Sequence, residues 1–157
     1  MKGAALLIIL LGLSASAGYF LGYRRAGLTG ATAEQTLLEG EFARSMSGVV
    51  LEGSFTTEGS AQTPPRVERY TIEGVDKLAG DHWLFRARLE FGDTDVTLPI
   101  PVRVLWAGDT PVVTLTDLGL PGVGTFTARV VFYRDRYAGL WWSPESGGQQ
   151  FGRILRE

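Results

Sequence analysis

The stretch Trp83–Trp106, WLFRARLEFGDTDVTLPIPVRVLW, contains two runs in which apolar residues alternate with other residues. In the first run the apolar residues are separated by the charged residues Arg86, Arg88 and Glu90. Successive side chains of a strand point to opposite faces, so each run predicts a strand with one apolar face. The pair Gly92-Asp93 lies between the runs, and glycine supplies the positive φ that a tight hairpin turn needs. Two neighbouring antiparallel strands are therefore predicted.

The same alternation continues on both sides of this hairpin, from Gly48 to the end of the chain. Gly-Asp pairs recur at Gly80-Asp81 and Gly108-Asp109, where they predict further hairpins. The predicted strands are 49–56, 66–77, 83–91, 95–106, 112–116, 124–133, 137–142 and 149–155. Eight strands in about 110 residues predict a mainly β domain over residues 48–157, either an eight-stranded antiparallel up-and-down barrel or a strongly rolled sheet.

Pro99 and Pro101 lie two residues apart in the fourth predicted strand. Proline has no amide hydrogen, and residues of equal parity direct their amides to the same side of a strand. Two donors are therefore missing from one edge, which argues against a perfectly closed barrel. We expect this edge to be free, bulged or splayed near Leu98–Val102. The two prolines either protect the edge from aggregation or frame an opening for a ligand or a partner strand, so both are candidate interaction residues.

The first 25 residues have the pattern of a membrane segment. Residues 4–23 carry no charge, Lys2 precedes them and Arg24-Arg25 follows them. About 20 helical residues span about 30 Å, the thickness of the apolar core of a bilayer. A single-pass transmembrane anchor is one interpretation; the other is a signal peptide cleaved after Ala17, because Ala15-Ser16-Ala17 has the A-x-A pattern. The anchor is favoured because the apolar run continues past this site, and we expect the domain on the periplasmic or extracellular side.

Gly18 and Gly22 are four residues apart within the same segment. Glycines at this spacing allow two membrane helices to approach each other closely. Both residues are therefore candidate contacts for self-association or for assembly with another membrane protein.

Residues 26–47 are predicted to form a linker and a short amphipathic helix over Ala33–Met46. Thr32 and Gln35 have the spacing of a capping box at the start of this helix. One apolar stripe recurs every fourth residue: Leu38, Phe42 and Met46. We expect this stripe to pack on the β-domain or to lie at the membrane surface.

The composition excludes several classes of function. The chain has no cysteine, which excludes disulfides, zinc–thiolate sites, iron–sulfur clusters and a cysteine nucleophile. Without Lys2, Arg24 and Arg25, 12 basic and 17 acidic residues remain, a net charge of −5. Nucleic acids and anionic lipids require a basic surface, so neither is expected as the main partner of the domain.

No group of residues in the sequence has the spacing of a catalytic or metal site. His82 is the single histidine, whereas a metal site needs several ligands and a Ser-His-Asp triad needs a serine beside the base. Asp93-Thr94-Asp95 lacks the glycine and the second copy of an aspartic-protease motif. The segment Gly119–Gly124 lacks the lysine and the following helix of a phosphate loop. We therefore expect no enzyme activity, no cofactor and no metal.

Trp141 and Trp142 are adjacent in a predicted strand, so their side chains face opposite sides. One is expected in the core. The other is a candidate contact for a partner or a membrane, unless the stripe of the short helix covers it. The bulk of the aromatic side chains also predicts a filled interior.

The end of the chain, Tyr137–Trp141 followed by Gly147-Gly148 and Phe151–Ile154, resembles the closing hairpin of small calycin-type barrels, the architecture of lipocalins and avidins. The chain as a whole is similar to single-pass bacterial membrane proteins. This resemblance implies a β-barrel and transfers no functional residue. We expect a non-catalytic, membrane-tethered binding or interaction module. The alternatives are a structural or assembly subunit acting through the transmembrane helix and a lipocalin-like carrier of a small apolar ligand.

Overall fold

The computed structural model describes residues 32–59 and 64–156. Within these residues the chain forms one helix, α1 (Ala33–Met46), and eight strands. The strands are β1 (Val49–Phe55), β2 (Arg66–Ala79), β3 (His82–Phe91), β4 (Thr94–Ala107), β5 (Thr110–Leu120), β6 (Gly124–Tyr133), β7 (Arg136–Trp142) and β8 (Gly147–Arg156). Each strand pairs antiparallel with the next, and β8 pairs with β1, so the sheet closes into a barrel.

The predicted mainly β domain with eight antiparallel strands is confirmed. Of the two predicted forms, the structure has the closed up-and-down barrel, which is consistent with a lipocalin-like architecture. The closing ladder runs from the pair Val49 and Arg156 to the pair Phe55 and Gln150. Each predicted Gly-Asp turn is a hairpin whose glycine has a positive φ: Gly80 at 57°, Gly92 at 55° and Gly108 at 66°.

Strand β5 is longer than its sequence predicts. The alternation predicts a strand over 112–116, whereas β5 continues to Leu120. The register with β6 shifts between Leu115 and Leu118, and Asp117 adopts a φ of 48°. An extra residue in a strand reverses the faces of the residues beyond it. The alternation of apolar residues is therefore interrupted at the bulge, although the strand is not.

Several predictions concern residues outside the described part of the chain. These are the transmembrane segment 4–23, the Ala15-Ser16-Ala17 site, and Gly18 and Gly22. In residues 32–59 and 64–156, no helix is long and apolar enough to cross a bilayer. The membrane anchor and its alternative, the cleaved signal, stay predictions.

The second half of α1 closes one end of the barrel. The helix begins at its predicted cap, where the Gln35 amide donates a hydrogen bond to Thr32 Oγ1 at 3.1 Å. Phe42 is buried, and its ring meets three aromatic rings edge-on, with centroids 5.5 Å from Trp83, 5.8 Å from Trp106 and 6.4 Å from Phe132. The apolar stripe therefore packs on the β-domain, one of its two predicted positions. We call Phe42 and the rings around it (Trp83, Phe85, Trp106 and Phe132) the aromatic plug.

Two hydrogen bonds fix the turn after α1 to strand β2. The Val75 amide donates to Ser47 Oγ at 3.0 Å, and the Gly48 amide donates to the Ile72 carbonyl at 2.8 Å. These bonds hold the end of the helix over the end of the barrel.

The two ends of the barrel differ in burial. Three hairpin turns lie at the end covered by α1: Gly80-Asp81, Gly108-Asp109 and Arg134-Asp135. We call the opposite end the mouth; the Gly92-Asp93 turn lies there. Inward side chains at the helix end, such as Trp83, are buried, whereas Phe91 and Phe126 at the mouth are partly exposed. The interior is therefore more deeply buried toward the helix end than at the mouth. A separate space of about 430 Å³ lies between α1 and the strand ends, beside Phe42 and Trp106.

The ladder between β4 and β5 covers only part of the described strands. It joins Arg103–Ala107 to Thr110–Thr114, so residues 94–102 of β4 pair with β3 alone. We call the gap between residues 94–102 of β4 and 115–120 of β5 the β4–β5 seam.

Pro99 and Pro101 lie on the edge of β4 that faces this seam. Thr114 Oγ1 of β5 donates to the Arg103 carbonyl at 3.4 Å, so Arg103 directs its backbone groups toward β5. Pro101 and Pro99 are the next residues of equal parity toward the mouth. The edge predicted to be free, bulged or splayed near Leu98–Val102 is therefore unpaired on the side of β5. It interrupts one ladder, but the strand order still closes into a barrel, so the expected departure from closure is limited to this ladder.

Phe42→Ala is expected to lower the free energy of unfolding by about 3–5 kcal/mol, because it removes the centre of the aromatic plug. The control Leu37→Ala changes a side chain that is 74% exposed, and we expect a change within about 0.5 kcal/mol. Urea denaturation of the full chain in mild detergent, followed by tryptophan fluorescence, measures both values. Equal effects of the two substitutions would contradict the packing of α1 described here.

Candidate functional site

A cavity of about 230 Å³ lies inside the barrel, between the aromatic plug and the mouth. All eight strands contribute residues to its wall, and most of these residues are aliphatic or aromatic. Ala87 and Ala128 are part of the wall, and their small side chains leave space that larger residues fill at the helix end. The predicted filled interior is therefore correct at the helix end and wrong in the half nearer the mouth.

The β4–β5 seam borders this cavity. Ile100 and Val102 of β4 and Leu115 and Leu120 of β5 line the cavity from the two sides of the seam. Apolar side chains therefore cover a stretch of wall where backbone hydrogen bonds between β4 and β5 are missing. Separating β4 from β5 along such a stretch requires less free energy than separating two strands joined by a complete ladder.

A carboxylate lies in the wall of this apolar cavity. Glu68 of β2 is 1% exposed and faces inward. Tyr70 Oη donates a hydrogen bond to Glu68 Oε2, and Tyr137 Oη donates one to Glu68 Oε1, each at 2.7 Å. Each carboxylate oxygen accepts one bond from a phenol and keeps a second lone pair.

Two glycines allow Tyr137 to reach Glu68. Tyr137, Gly152, Gly53 and Glu68 are consecutive register partners across β7, β8, β1 and β2. A Cβ atom on Gly152 would lie 2.6 Å from Tyr137 Cε1, and a Cβ atom on Gly53 would overlap Tyr137 Oη. The tyrosine side chain therefore crosses two strands over a surface without side chains.

Burial shifts the pKa values of Glu68 and of the two tyrosines that donate hydrogen bonds to it. Burial raises the pKa of Glu68 above its usual value of 4.5, and the hydrogen bonds from Tyr70 and Tyr137 oppose this rise. Burial, and then the negative charge of Glu68, raise the pKa of both tyrosines above 10. The two phenols therefore stay protonated at neutral pH and act as donors to the carboxylate.

No basic side chain in the described ranges neutralises Glu68. The ion pairs among residues 32–59 and 64–156 all join other acidic residues to Arg, Lys or His. The described polar residues of the cavity wall besides Glu68 are Tyr70, Tyr137 and Gln150, and none carries a positive charge at neutral pH.

Glu68 is not among the site residues predicted from the sequence. The signal that identifies it is parity, because Glu68, Tyr70 and Ile72 share one face of β2. A carboxylate on the apolar face of a strand is unusual. The register shift between Ile72 and Gly74 interrupts the alternation further along β2 and weakens this signal.

The two predicted tryptophans face opposite sides at the mouth. Trp141 points inward, packs edge-on against Phe55 at 6.0 Å between ring centroids, and donates to the Thr56 carbonyl at 3.2 Å. Trp142 is 40% exposed. The apolar stripe of α1 packs at the aromatic plug, at the other end of the barrel, so it does not cover Trp142. Trp142 therefore stays a predicted contact residue, as do Pro99 and Pro101 at the seam.

The other residues singled out for chemistry lie apart from the cavity. His82 is exposed at the helix end, and its Nδ1 lies 3.0 Å from Asp81 Oδ1. In the part of the chain that the structure describes, no group of three or more acidic or histidine side chains has the arrangement of a metal site.

Comparisons with known proteins give no match: no family model, no curated protein and no solved structure matches the chain.

Gly152→Ala is expected to lower the free energy of unfolding by about 1–3 kcal/mol, because the new methyl group overlaps Tyr137 and the neighbouring backbone. Gly119→Ala is the matched control in β5, where a Cβ atom meets no other atom within 4 Å. Urea denaturation of the two full-length variants measures the difference. A Gly152→Ala protein as stable as Gly119→Ala would show that Tyr137 does not occupy this path.

Glu68→Gln is expected to flatten the dependence of stability on pH. The pKa of Glu68 is raised by folding, so the folded protein binds the proton more tightly than the unfolded chain does. The free energy of unfolding therefore falls as the pH rises from about 4.5 through the raised pKa. Asp81 and Asp95 have lowered pKa values because arginine side chains bond to them, so they titrate below this window.

Denaturation of the native chain and of Glu68→Gln at a series of pH values from about 4 to 8 measures the two slopes. Parallel slopes would contradict the burial of an ionisable Glu68.

Proposed function

We propose that this chain is a non-catalytic binding module that holds a small apolar ligand inside its β-barrel. The observation that carries this proposal is the apolar cavity of about 230 Å³ between the aromatic plug and the mouth. Closely packed interiors contain few spaces larger than a water molecule, so a space of this size is unusual in a small domain. This is the carrier version of the binding function predicted from the sequence.

The size of the cavity restricts the ligand. Sites for drug-sized molecules are typically about 300–1,000 Å³, and this cavity is smaller. The ligand is therefore a small molecule, such as one with one aromatic ring or two fused rings, or with a short alkyl chain. It reaches the cavity through the mouth or through the β4–β5 seam, where Pro99 and Pro101 prevent the backbone from closing the wall.

We propose further that residues 4–23 tether the barrel to a membrane, with the domain in the periplasm or outside the cell. The uncharged run between Lys2 and Arg24-Arg25 supports the tether. The outward face of β1–β4 supports exposure of the barrel to water, because it carries exposed ion pairs such as Arg88 with Asp95. A tethered barrel lies beside the bilayer, where small apolar molecules concentrate.

A second candidate function is an interaction module for another protein. Five outward residues are register neighbours across β4–β8: Leu105, Val112, Val131, Ala138 and Phe151. Leu105, Val131 and Phe151 are each more than 40% exposed. An exposed apolar row of this kind is a typical protein contact surface. The assembly function through Gly18 and Gly22 rests on their spacing in the sequence.

Ala128→Leu is expected to abolish ligand binding, because the longer side chain fills the cavity. The matched control is Ala138→Leu, on the outward face of the adjacent strand β7. The full chain with labelled methyl groups, in lipid nanodiscs, is titrated with naphthalene and followed by NMR. We expect the methyl signals of Ile100 and Val113 to shift in the native chain and in Ala138→Leu, and to stay unchanged in Ala128→Leu.

Methyl signals report on the cavity directly, so naphthalene dissolved in the lipid does not mimic binding. Native protein whose Ile100 and Val113 signals do not respond to naphthalene would contradict the proposed function. An equal response of Ala128→Leu would place the binding site elsewhere.

A further inference from the structure

We propose that the barrel selects a small apolar primary amine and binds its ammonium group at Glu68. This inference rests on the proposed function, because it names the chemical class of the ligand in the same cavity. It is carried by the position of Glu68 in the wall of a largely apolar space, where no basic side chain of the described residues forms an ion pair with it.

Glu68 has no positively charged partner among the described residues. A carboxylate buried away from water is costly unless a positive charge or several hydrogen bonds compensate it. Tyr70 and Tyr137 supply two hydrogen bonds, but no basic side chain of residues 32–59 and 64–156 forms an ion pair with Glu68. A cationic ligand would supply the missing positive charge.

The carboxylate of Glu68 has acceptor positions that the two tyrosines do not use. Each oxygen of Glu68 uses one lone pair for a tyrosine, so one lone pair on each oxygen is left for a ligand. A primary ammonium group has three N–H donors and is therefore suited to both positions. The two tyrosines hold the carboxylate in a fixed orientation, since Tyr137 is itself confined between Gly53 and Gly152.

The cavity wall is unsuited to a negatively charged ligand. A ligand carboxylate needs donors, and both phenols of the cavity wall already donate to Glu68. No lysine, arginine or histidine belongs to the described wall of the cavity. A fatty acid or another anion would place a second acidic group beside Glu68 without a basic side chain in the described wall. The guanidinium of Arg66 lies over the Phe55 ring, 5.4 Å from its centroid, and is not part of that wall.

Aromatic and apolar side chains surround Glu68 and would contact the part of the ligand beyond its amine. Phe91 is the register partner of Glu68 on β3, and its ring lies 6.3 Å from those of Phe55 and Tyr70 and 6.4 Å from that of Phe126, centroid to centroid. Aromatic faces attract cations and also pack against apolar groups. The remainder of the wall is apolar, so the part of the ligand beyond the amine is a small aryl or alkyl group.

The experiment uses three probes that share an aromatic ring and differ in their polar group: 2-phenylethylamine, 2-phenylethanol and 3-phenylpropanoate. The full chain in nanodiscs of zwitterionic lipid is titrated with each probe at neutral pH, and the methyl signals of Ile100 and Val113 report binding. We expect the amine to bind about tenfold or more tightly than the alcohol, because hydrogen bonds to charged groups are the stronger ones. The carboxylate is expected not to bind.

Glu68→Gln is expected to remove the preference for the amine and to keep the binding of the alcohol. Glu52→Gln is the matched control, since Glu52 lies on the neighbouring strand β1 and is exposed; it is expected to keep the preference. If Glu68→Gln fails to fold, the three probes on the native chain decide the question, because the order amine, alcohol, carboxylate is itself the predicted result.

Equal binding of the amine and the alcohol to the native chain would overturn this inference and leave the proposed function standing, with Glu68 serving only to join β2 to β7. The same conclusion follows if naphthalene binds and the amine does not. Failure of naphthalene and of all three probes to shift the cavity signals would overturn the proposed function itself.

Discussion

The hydrogen bond between Tyr137 and Glu68 joins four strands at the place where the barrel closes. The first strand and the last strand meet between Gly53 and Gly152, and Tyr137 crosses these two strands to reach a carboxylate on β2, three strands away from its own. The bond requires both glycines, the phenol and the inward carboxylate at the same level of the barrel. It therefore fixes the relative register of β7, β8, β1 and β2 and sets a polar group in the wall of an apolar cavity.

The two halves of the interior have different roles. At the helix end, Phe42 and the rings around it form a plug of edge-on aromatic contacts, which supplies stability. Beside this plug, a second space of about 430 Å³ lies between α1 and the ends of the strands. Toward the mouth, Ala87 and Ala128 leave a cavity, and Pro99 and Pro101 leave one wall without a complete ladder. Aromatic packing at the helix end thus supports a half of the interior, toward the mouth, whose packing is incomplete.

Much of the fold follows from local sequence patterns. The alternation in Trp83–Trp106 and the Gly-Asp pairs predict antiparallel hairpins, and Pro99 and Pro101 predict the splayed edge. These features depend on neighbouring residues, so one sequence is sufficient to find them. The continuation of β5 past Thr116 was not predicted, because a bulge reverses the faces of the strand.

The site itself was not predicted, for a different reason. Glu68 and Tyr137 are 69 residues apart, and only the register of four strands brings them together. The two glycines between them have no local signature that differs from that of a turn glycine. The parity of Glu68 on β2 was the available signal, and its meaning depends on knowing that the face is the interior of a closed barrel.

The most direct test of a ligand-binding interior is a crystal structure of the full chain soaked with bromobenzene, with the bromine located by its anomalous scattering. If the cavity binds small apolar molecules, we expect a bromine peak inside the barrel, between Ala87, Ala128 and Glu68. Bromine confined to the outer apolar row, with the interior unchanged, would contradict it.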